Sequence, residues 1–278
     1  MIIETLLLAL APCANFAQEP PPPPKKEFAR LTGVQQKTVL EDLVVFRKAE
    51  KPELREQARA RLLALGEGIV PQVLDTAPQY LESGRLPDLL GLLTAALADA
   101  DLHLAWGLLK KKTPEGLRAY LTRRIADSAR EDAPALLKPL LKDAQAAVAY
   151  EAARGLLRRA DREGLPLVSA ALRSRWTLDA ARLRADFAGL ERGPLADVSL
   201  DSLASSKPQE RLLGLRLYEL FGVKEHAKLL LPALSESDTT LRLAAIDACR
   251  VVIGGEPPLE KPSMTQIIEH AEAWKKKL

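Results

Sequence analysis

Apolar residues recur every three or four positions along most of this chain, which is the spacing of one face of an α-helix. Around residue 150, Val148, Ala152 and Leu156 share one helical face, whereas Glu151 and Arg154 fall elsewhere. Comparable patterns predict the first helix of a two-helix unit at starts near residues 52, 85, 114, 145, 177, 207 and 239. A capping helix is predicted over residues 33–50 and a last helix over 264–277.

A repeat of 31 residues underlies these units. Residues 148–157 align with residues 241–250 at an offset of 93 and with residues 54–63 at an offset of 94, both close to three repeats. Steps of 31 from Ala152 reach further positions inside helical patterns, namely Leu183, Gly214 and Ala245. Self-similarity at this period is typical of stacked helical units.

Prolines predict where the second helix of several units begins. Proline is tolerated in the first turn of a helix, where its missing N–H leaves no helical hydrogen bond unmade. The prolines in question are Pro71, Pro134, Pro166 and Pro194. Each unit is then predicted to contain two antiparallel helices of about 12 residues. A lone pair cannot bury its apolar stripe, so the predicted fold is all-α, an α-solenoid of about seven stacked helix hairpins.

One unit carries a family resemblance. Val148, Ala152, Ala153 and Leu156, followed by a glycine turn and residues 165–167 (Leu-Pro-Leu), resemble a HEAT repeat of the short bacterial type. The resemblance extends over about residues 50–262, so residues 33–278 are predicted to be a HEAT-like repeat domain with a capping helix at each end. Such families imply protein binding, assembly or scaffolding, often through a concave face lined by the second helices.

The first thirty residues predict a targeting signal. Residues 6–11 are apolar, a run too short to span a bilayer, and residues 20–24 are five prolines. The pattern predicts a signal peptide over residues 1–17, cleaved near Ala17, then a proline-rich linker over 18–32, and export to the periplasm or the extracellular space. A mis-assigned start codon or a disordered cytosolic tail is the alternative. Residues 10–13 resemble a lipobox, so a lipoprotein anchored at Cys13 is a further alternative, and only then is a membrane partner expected.

Composition supports the helical prediction. Of the 278 residues, 47% are hydrophobic, and leucine and alanine far outnumber the β-branched residues that favour strands. The net charge of +3 requires no polyanionic partner. After removal of a signal peptide Cys249 is the only cysteine, so we expect no intramolecular disulfide and a buried thiol.

Known catalytic motifs are absent from the sequence. The three histidines, His103, His226 and His270, form no His-Glu-x-x-His pair, and no glycine-rich phosphate loop or Gly-x-Ser-x-Gly elbow occurs. His103 lies between two leucines and is predicted to be a packing or boundary residue. We therefore predict a non-catalytic chain with no cofactor and no metal, and leave open an enzyme site assembled from residues far apart in sequence.

Basic residues recur with the repeat and are the candidate partner-binding residues. Lys111, Lys142 and Arg173 are spaced by 31 residues, near the predicted ends of second helices. A second set on the first helices comprises Arg123, Arg154 and Arg216, with Ala185 at the intervening position. As a ladder along one edge they would bind an acidic protein segment, an anionic glycan or nucleic acid. Alternatively they complement helix dipoles and form ordinary ion pairs.

Together these features predict an exported interaction or scaffold module whose partner is a protein. A nucleic-acid-binding HEAT-like protein that uses the basic ladder is the alternative function, and export would place chromosomal DNA out of reach. The sequence leaves the oligomeric state and the identity of the partner open.

Overall fold

The computed structural model describes residues 27–110 and 113–278, and in that part of the chain it is all-helical with no β-strand. Fourteen α-helices follow one another along these residues: α1 (Gly33–Lys48), α2 (Pro52–Ala64), α3 (Val70–Glu82), α4 (Leu86–Ala96), α5 (Leu102–Gly107), α6 (Glu115–Asp127), α7 (Ala133–Leu137), α8 (Ala146–Leu157), α9 (Leu165–Asp186), α10 (Leu200–Leu203), α11 (Pro208–Phe221), α12 (Leu231–Leu234), α13 (Thr239–Cys249) and α14 (Met264–Lys277). The predicted signal peptide with Ala17, the Cys13 lipid site and most of the proline-rich linker lie outside the described residues.

The predicted helix positions are largely confirmed. The capping helix and the last helix are α1 and α14, and six of the first helices, α2, α4, α6, α8, α11 and α13, begin at or one residue after their predicted starts. Local capping explains the two terminal helices. Thr32 and Gln35 form a reciprocal capping box before α1, and Ser263 and Gln266 form another before α14.

The predicted boundary near residue 177 is wrong in detail, because α9 continues through it. Residues 174–180 contain neither glycine nor proline, so nothing in them ends a helix. The chain changes direction instead at Asp179, whose φ of −128° and ψ of 20° are not helical. The two helices predicted on either side of residue 177 are therefore one helix with a kink.

Several second helices are much shorter than the predicted dozen residues: α5 has 6 residues, α7 has 5, and α10 and α12 have 4 each. Pro71, Pro134 and Pro166 do lie in the first turns of α3, α7 and α9, as predicted. Pro194 does not start a helix, because it lies in the three-residue 3-10 turn Gly193–Leu195. Proline also limits α7, which ends before Pro139 and gives way to the 3-10 segment Lys138–Lys142.

Two helices are buried on more than one side because each belongs to two apolar cores. On α8, Val148, Ala152 and Leu156 pack into a core that begins at Phe28, while Tyr150, Ala153 and Leu157 pack into a second core. Helix α11 likewise gives Leu213, Leu217, Leu220 and Phe221 to the second core and Leu215 and Tyr218 to a third that extends to Trp274. The three cores therefore follow one another along the chain.

Glycine at one position allows α8 to approach α6 closely. A Cβ atom on Gly155 would lie 2.4 Å from the Cβ of Ala126 and 2.9 Å from its Cα. Any larger residue would force the two backbones apart. This contact fixes the distance between the helices that carry the charged groups described next.

Cys249 is completely buried, as predicted, and burial raises the pKa of its thiol to about 12. Among the described residues, no single helix is both long and apolar enough to cross a membrane. Only when α4 is taken together with residues 99–107, which include α5, is a segment long and apolar enough by length and composition. The two parts are bent by 105° relative to each other.

Candidate functional site: a charged seam

Charged side chains from four helices form an ion-pair network and, further along the chain, a second network around the ion pair of Arg184 with Glu219. We call this set the charged seam; it comprises Arg123 and Asp127 of α6, Glu151 and Arg154 of α8 with Arg158 directly after that helix, Arg182, Arg184 and Asp186 of α9, and Arg216 and Glu219 of α11. On α6, α8 and α11 the members are three or four residues apart, which places them on a common side of the helix, whereas on α9 Arg184 lies two residues from both Arg182 and Asp186 and joins the second network. The arginines of the seam outnumber its carboxylates by six to four.

Arg154 is the buried centre of the first network. Its Nε donates to Oε2 of Glu151 at 2.8 Å, and its Nη1 lies 2.8 Å from Oδ1 of Asp127. Burial opposes the charge on Arg154, but the bonds to Asp127 and Glu151 outweigh it and leave the pKa of the guanidinium above its ordinary value. Arg154 therefore remains a cation although only 2% of it is exposed.

Asp186 closes the first network from α9. Tyr150 donates its phenolic hydrogen to Oδ2 of Asp186 at 2.8 Å, and Nη2 of Arg123 lies 3.4 Å from Oδ1. Burial, together with the nearby Asp186 carboxylate, raises the pKa of Tyr150. The guanidinium of Arg175 lies over the Tyr150 ring, 4.9 Å from its centroid. The phenol therefore stays protonated and holds a buried carboxylate in place.

Two exposed arginines flank the same oxygen of Glu151. Nη1 of Arg123 lies 3.7 Å from Oε1 of Glu151, and Nη2 of Arg182 lies 3.8 Å from that same atom. The side chains of Arg123 and Arg182 are 45% and 54% exposed, whereas those of Glu151 and Asp186 are 5% and 1% exposed. At this point the seam therefore has its carboxylates inside and its guanidinium groups outside.

The second network is centred on Glu219 and Trp176. Nε and Nη2 of Arg184 donate to the two carboxylate oxygens of Glu219. The Trp176 ring lies close to two guanidinium groups, with its centroid 4.8 Å from Arg184 and 5.4 Å from Arg216. Nη1 of Arg216 donates to the carbonyl of Leu172 at 2.6 Å. Burial raises the pKa of Glu219, although its pairing with Arg184 acts in the opposite direction.

A cavity opens at each end of the seam. At the α6 end, Arg123 and Asp127 share a recess of about 280 Å³ with Thr94 and Tyr120, whose hydroxyl oxygens are 2.7 Å apart. At the α11 end, a cavity of about 350 Å³ is bounded by Arg184 and Glu219 and by apolar side chains, including Phe187, Leu190, Leu220 and Val251. Both cavities are large enough for a side chain of a partner.

The predicted basic ladder is only partly a surface feature. Arg154 and Arg216 are buried, which corrects the expectation of an exposed row; α8 and α11 each serve two cores, so little of either helix faces solvent. Arg123 is half-exposed and lies in the same network as Arg154, so the structure brings these two together.

The first predicted set stays a prediction, because only two of its three members lie in the described structure. Arg173 lies in the middle of α9 rather than near its end, and its Nη2 is 2.7 Å from Oε2 of Glu210. Lys142 is exposed at the end of a 3-10 segment. Lys111 lies outside the described residues.

Sequence reasoning missed the acidic partners and several arginines of the seam, in particular Glu151, Asp186, Arg182, Arg184 and Glu219. One signal could have found part of the set, because opposite charges one repeat apart form ion pairs. Arg182 follows Glu151 by 31 residues, and Arg158 follows Asp127 by the same interval. The links from Arg184 to Glu219 and from Tyr150 to Asp186 depend on the kinked path of α9, which the sequence does not reveal.

Over residues 27–110 and 113–278 there is no group of three or more histidine, cysteine, aspartate or glutamate side chains arranged to hold a metal ion. His103 is half-buried and its Nδ1 lies 3.0 Å from the carbonyl oxygen of Ala100, which agrees with its predicted boundary position. Comparisons with protein-family models, with curated proteins and with solved structures found no match to this chain. Its function is therefore argued from its own residues.

Proposed function

We propose that this chain is a HEAT-like α-solenoid that acts as a non-catalytic protein-interaction module, with the charged seam as its partner-binding surface. The order of the cores supports the solenoid. Each core is built from helices close together in the chain, and α8 and α11 link one core to the next. Such an arrangement grows by adding neighbours and presents an extended, preformed surface.

The observation that supports the binding role is the arrangement of charge in the seam, where carboxylates are buried and several guanidinium groups are partly exposed. Buried carboxylates hold arginines whose guanidinium groups remain partly in solvent, as Glu151 does for Arg123 and Arg182. Because the helices that carry these guanidinium groups are already folded, a partner has to order little of the chain on binding, so the binding free energy is reduced less by ordering. Arginine is also enriched among the residues that contribute most to protein interfaces.

An exposed leucine on α9, four residues before Arg182 of the seam, offers an apolar contact to the same partner. Leu178 is 86% exposed and directly precedes the kink at Asp179. Asp179 pairs with Arg175 at 3.4 Å, and Arg175 lies over Tyr150, the donor to Asp186. A partner that covers Arg182 would therefore also be within reach of Leu178.

Photocrosslinking in the native cell tests this role. Benzoylphenylalanine is placed at Leu178, and at Val34 as the matched control, because Val34 is also an apolar side chain and is 79% exposed. We expect a discrete covalent adduct with another protein from position 178 and a much weaker one from position 34. Equal labelling at both positions, or none at position 178, would overturn the proposal.

We also propose that the protein is exported, on the basis of the apolar run at residues 6–11 and the prolines that follow. The mass of the mature protein from fractionated native cells tests this. Cleavage near Ala17 supports export, and a diacylated Cys13 would replace a free exported protein by a membrane-tethered one. An intact Met1 in the cytosolic fraction would refute both.

A further inference from the structure

We infer that Arg123 and Arg182 form an anchor for a carboxylate side chain in an acidic segment of the partner. This inference rests on the proposed function and specifies the ligand chemistry of the same surface. Both guanidinium groups approach Oε1 of Glu151, at 3.7 and 3.8 Å, so they are close enough together for a second carboxylate to bridge them from the solvent side.

Both arginines have hydrogen-bond donors to spare. A guanidinium carries five N–H groups, and its hydrogen bonds to oxygen are normally 2.7–3.2 Å long. The contacts of Arg123 with Asp186, Glu151 and Asp127 are 3.4, 3.7 and 3.8 Å. In the described parts of the chain, Arg182 has a single ion-pair contact, at 3.8 Å. An incoming carboxylate would therefore gain short hydrogen bonds without having to break existing ones.

The groups beneath the pair favour an anion at this point. Arg154 lies underneath with its Nη2 buried and without a hydrogen-bond partner, and Arg158 is within 4 Å of Asp127. The carboxylates of Glu151 and Asp186 are nearly inaccessible, so a ligand would meet the arginines first. The local net charge is +1, because four arginines face three carboxylates. These residues are Arg123, Arg154, Arg158 and Arg182, with Asp127, Glu151 and Asp186.

That small excess distinguishes an acidic peptide from a nucleic acid. Nucleic acids present one charge per phosphate in close succession and need rows of unpaired cations. Here the half-exposed Asp127 lies 3.8 Å from Arg123, so a continuous phosphate backbone would also meet a like charge. A peptide with separated glutamates can place one carboxylate between Arg123 and Arg182 and avoid Asp127.

Fluorescence anisotropy with a labelled (Glu-Gly)6 peptide tests the anchor, with (Gln-Gly)6 and a twelve-nucleotide oligo-dT as the comparison probes. The variant is Arg123→Gln/Arg182→Gln. The control Arg30→Gln/Arg59→Gln removes the same charge outside the seam, at the exposed Arg30 and the half-buried Arg59. Circular dichroism verifies that each variant keeps its helix content.

We expect (Glu-Gly)6 to bind the native chain and to lose at least about 10-fold in affinity on the seam double variant, while the control stays within about 2-fold. Equal affinity of the seam double variant and the control would overturn the anchor. Tighter binding of oligo-dT than of (Glu-Gly)6 would replace the acidic peptide by nucleic acid. If an adduct still forms at Leu178 in cells while (Glu-Gly)6 does not bind, the interaction role stands and the acidic ligand is wrong.

Discussion

Arg154 and Glu151, three residues apart on α8, form a 2.8 Å ion pair in which both side chains are almost completely buried. Removal of two charges from water is costly, and their attraction offsets this only when the remaining donors and acceptors are satisfied. Helix α8 can accommodate the pair because Asp127, Arg123 and Arg182 approach it from the neighbouring helices. The pair thus joins three helices that different parts of the sequence supply.

We expect that removal of one charge of this pair destabilises the fold more than removal of both charges. Arg154→Met leaves Glu151 buried with only its longer contacts, so we expect a loss of about 3 kcal/mol in the free energy of unfolding. Glu151→Leu/Arg154→Met removes both charges and should recover most of that loss. Urea denaturation of the two variants and the native chain measures the difference. A double variant no more stable than the single one would show that the charges themselves support the fold.

Glu219 predicts a pH dependence of stability. Burial raises the pKa of its carboxyl above 4.5, against the opposing effects of Arg184 and Arg192 and with a further increase from Asp247. When a carboxyl has a higher pKa in the folded chain than in the unfolded chain, it contributes less stability as the pH rises past the pKa of the unfolded chain and towards that of the folded chain. Relative to the native chain, Glu219→Gln should therefore gain stability between pH 4.5 and about pH 8. Urea denaturation at both pH values checks this, and parallel changes in the two proteins would contradict it.

Alanine is expected to have opposite effects at two glycines, one buried where α8 meets α6 and one exposed on α4. Gly155→Ala would place a methyl group 2.4 Å from the Cβ of Ala126, so we expect a loss of about 1–3 kcal/mol. Gly91 lies on the exposed side of α4 with no atom within 4 Å of its added Cβ, and Gly91→Ala should gain up to about 1 kcal/mol. Thermal and urea denaturation of both variants test the pair. A neutral Gly155→Ala would mean that the two helices can separate without loss.

Because the three cores follow one another along the chain, a substitution that destabilises one core should leave the distant core intact. Leu92→Ala removes a buried side chain from the first core and Ile246→Ala one from the third. In an array of stacked units each change should speed amide hydrogen exchange mainly in its own core, so α13 should remain protected in the first variant and α2 in the second. Hydrogen exchange with mass spectrometry reads this directly. Uniform loss of protection in both variants would contradict the solenoid.

The starts of six of the seven first helices could be predicted from the apolar pattern, and local caps mark the starts of α13 and of the two terminal helices. Thr32 before α1, Asp238 before α13 and Ser263 before α14 cap their helices through side chains close in sequence. The absence of glycine and proline from residues 174–180 favours a continuous α9, whereas the non-helical backbone at Asp179 has no signal in the sequence.

The positions of the basic residues were readable from the sequence, but their surroundings were not. Arg123, Arg154 and Arg216 occur on the first helices as predicted, yet only Arg123 reaches the surface. Burial of the other two depends on two cores sharing one helix, which is a long-range property. Arg182 lies one repeat of 31 residues after Glu151, but only the fold shows that the two side chains approach each other.

The most direct test of the seam as a partner surface is the adduct formed at position 178 in native cells, measured in three backgrounds. With the native seam and with Arg30→Gln/Arg59→Gln, we predict the same discrete adduct, because neither changes the seam. With Arg123→Gln/Arg182→Gln we predict its loss. Absence of an adduct in the native background, or the same labelling at position 34, would contradict the claim that this surface binds a partner.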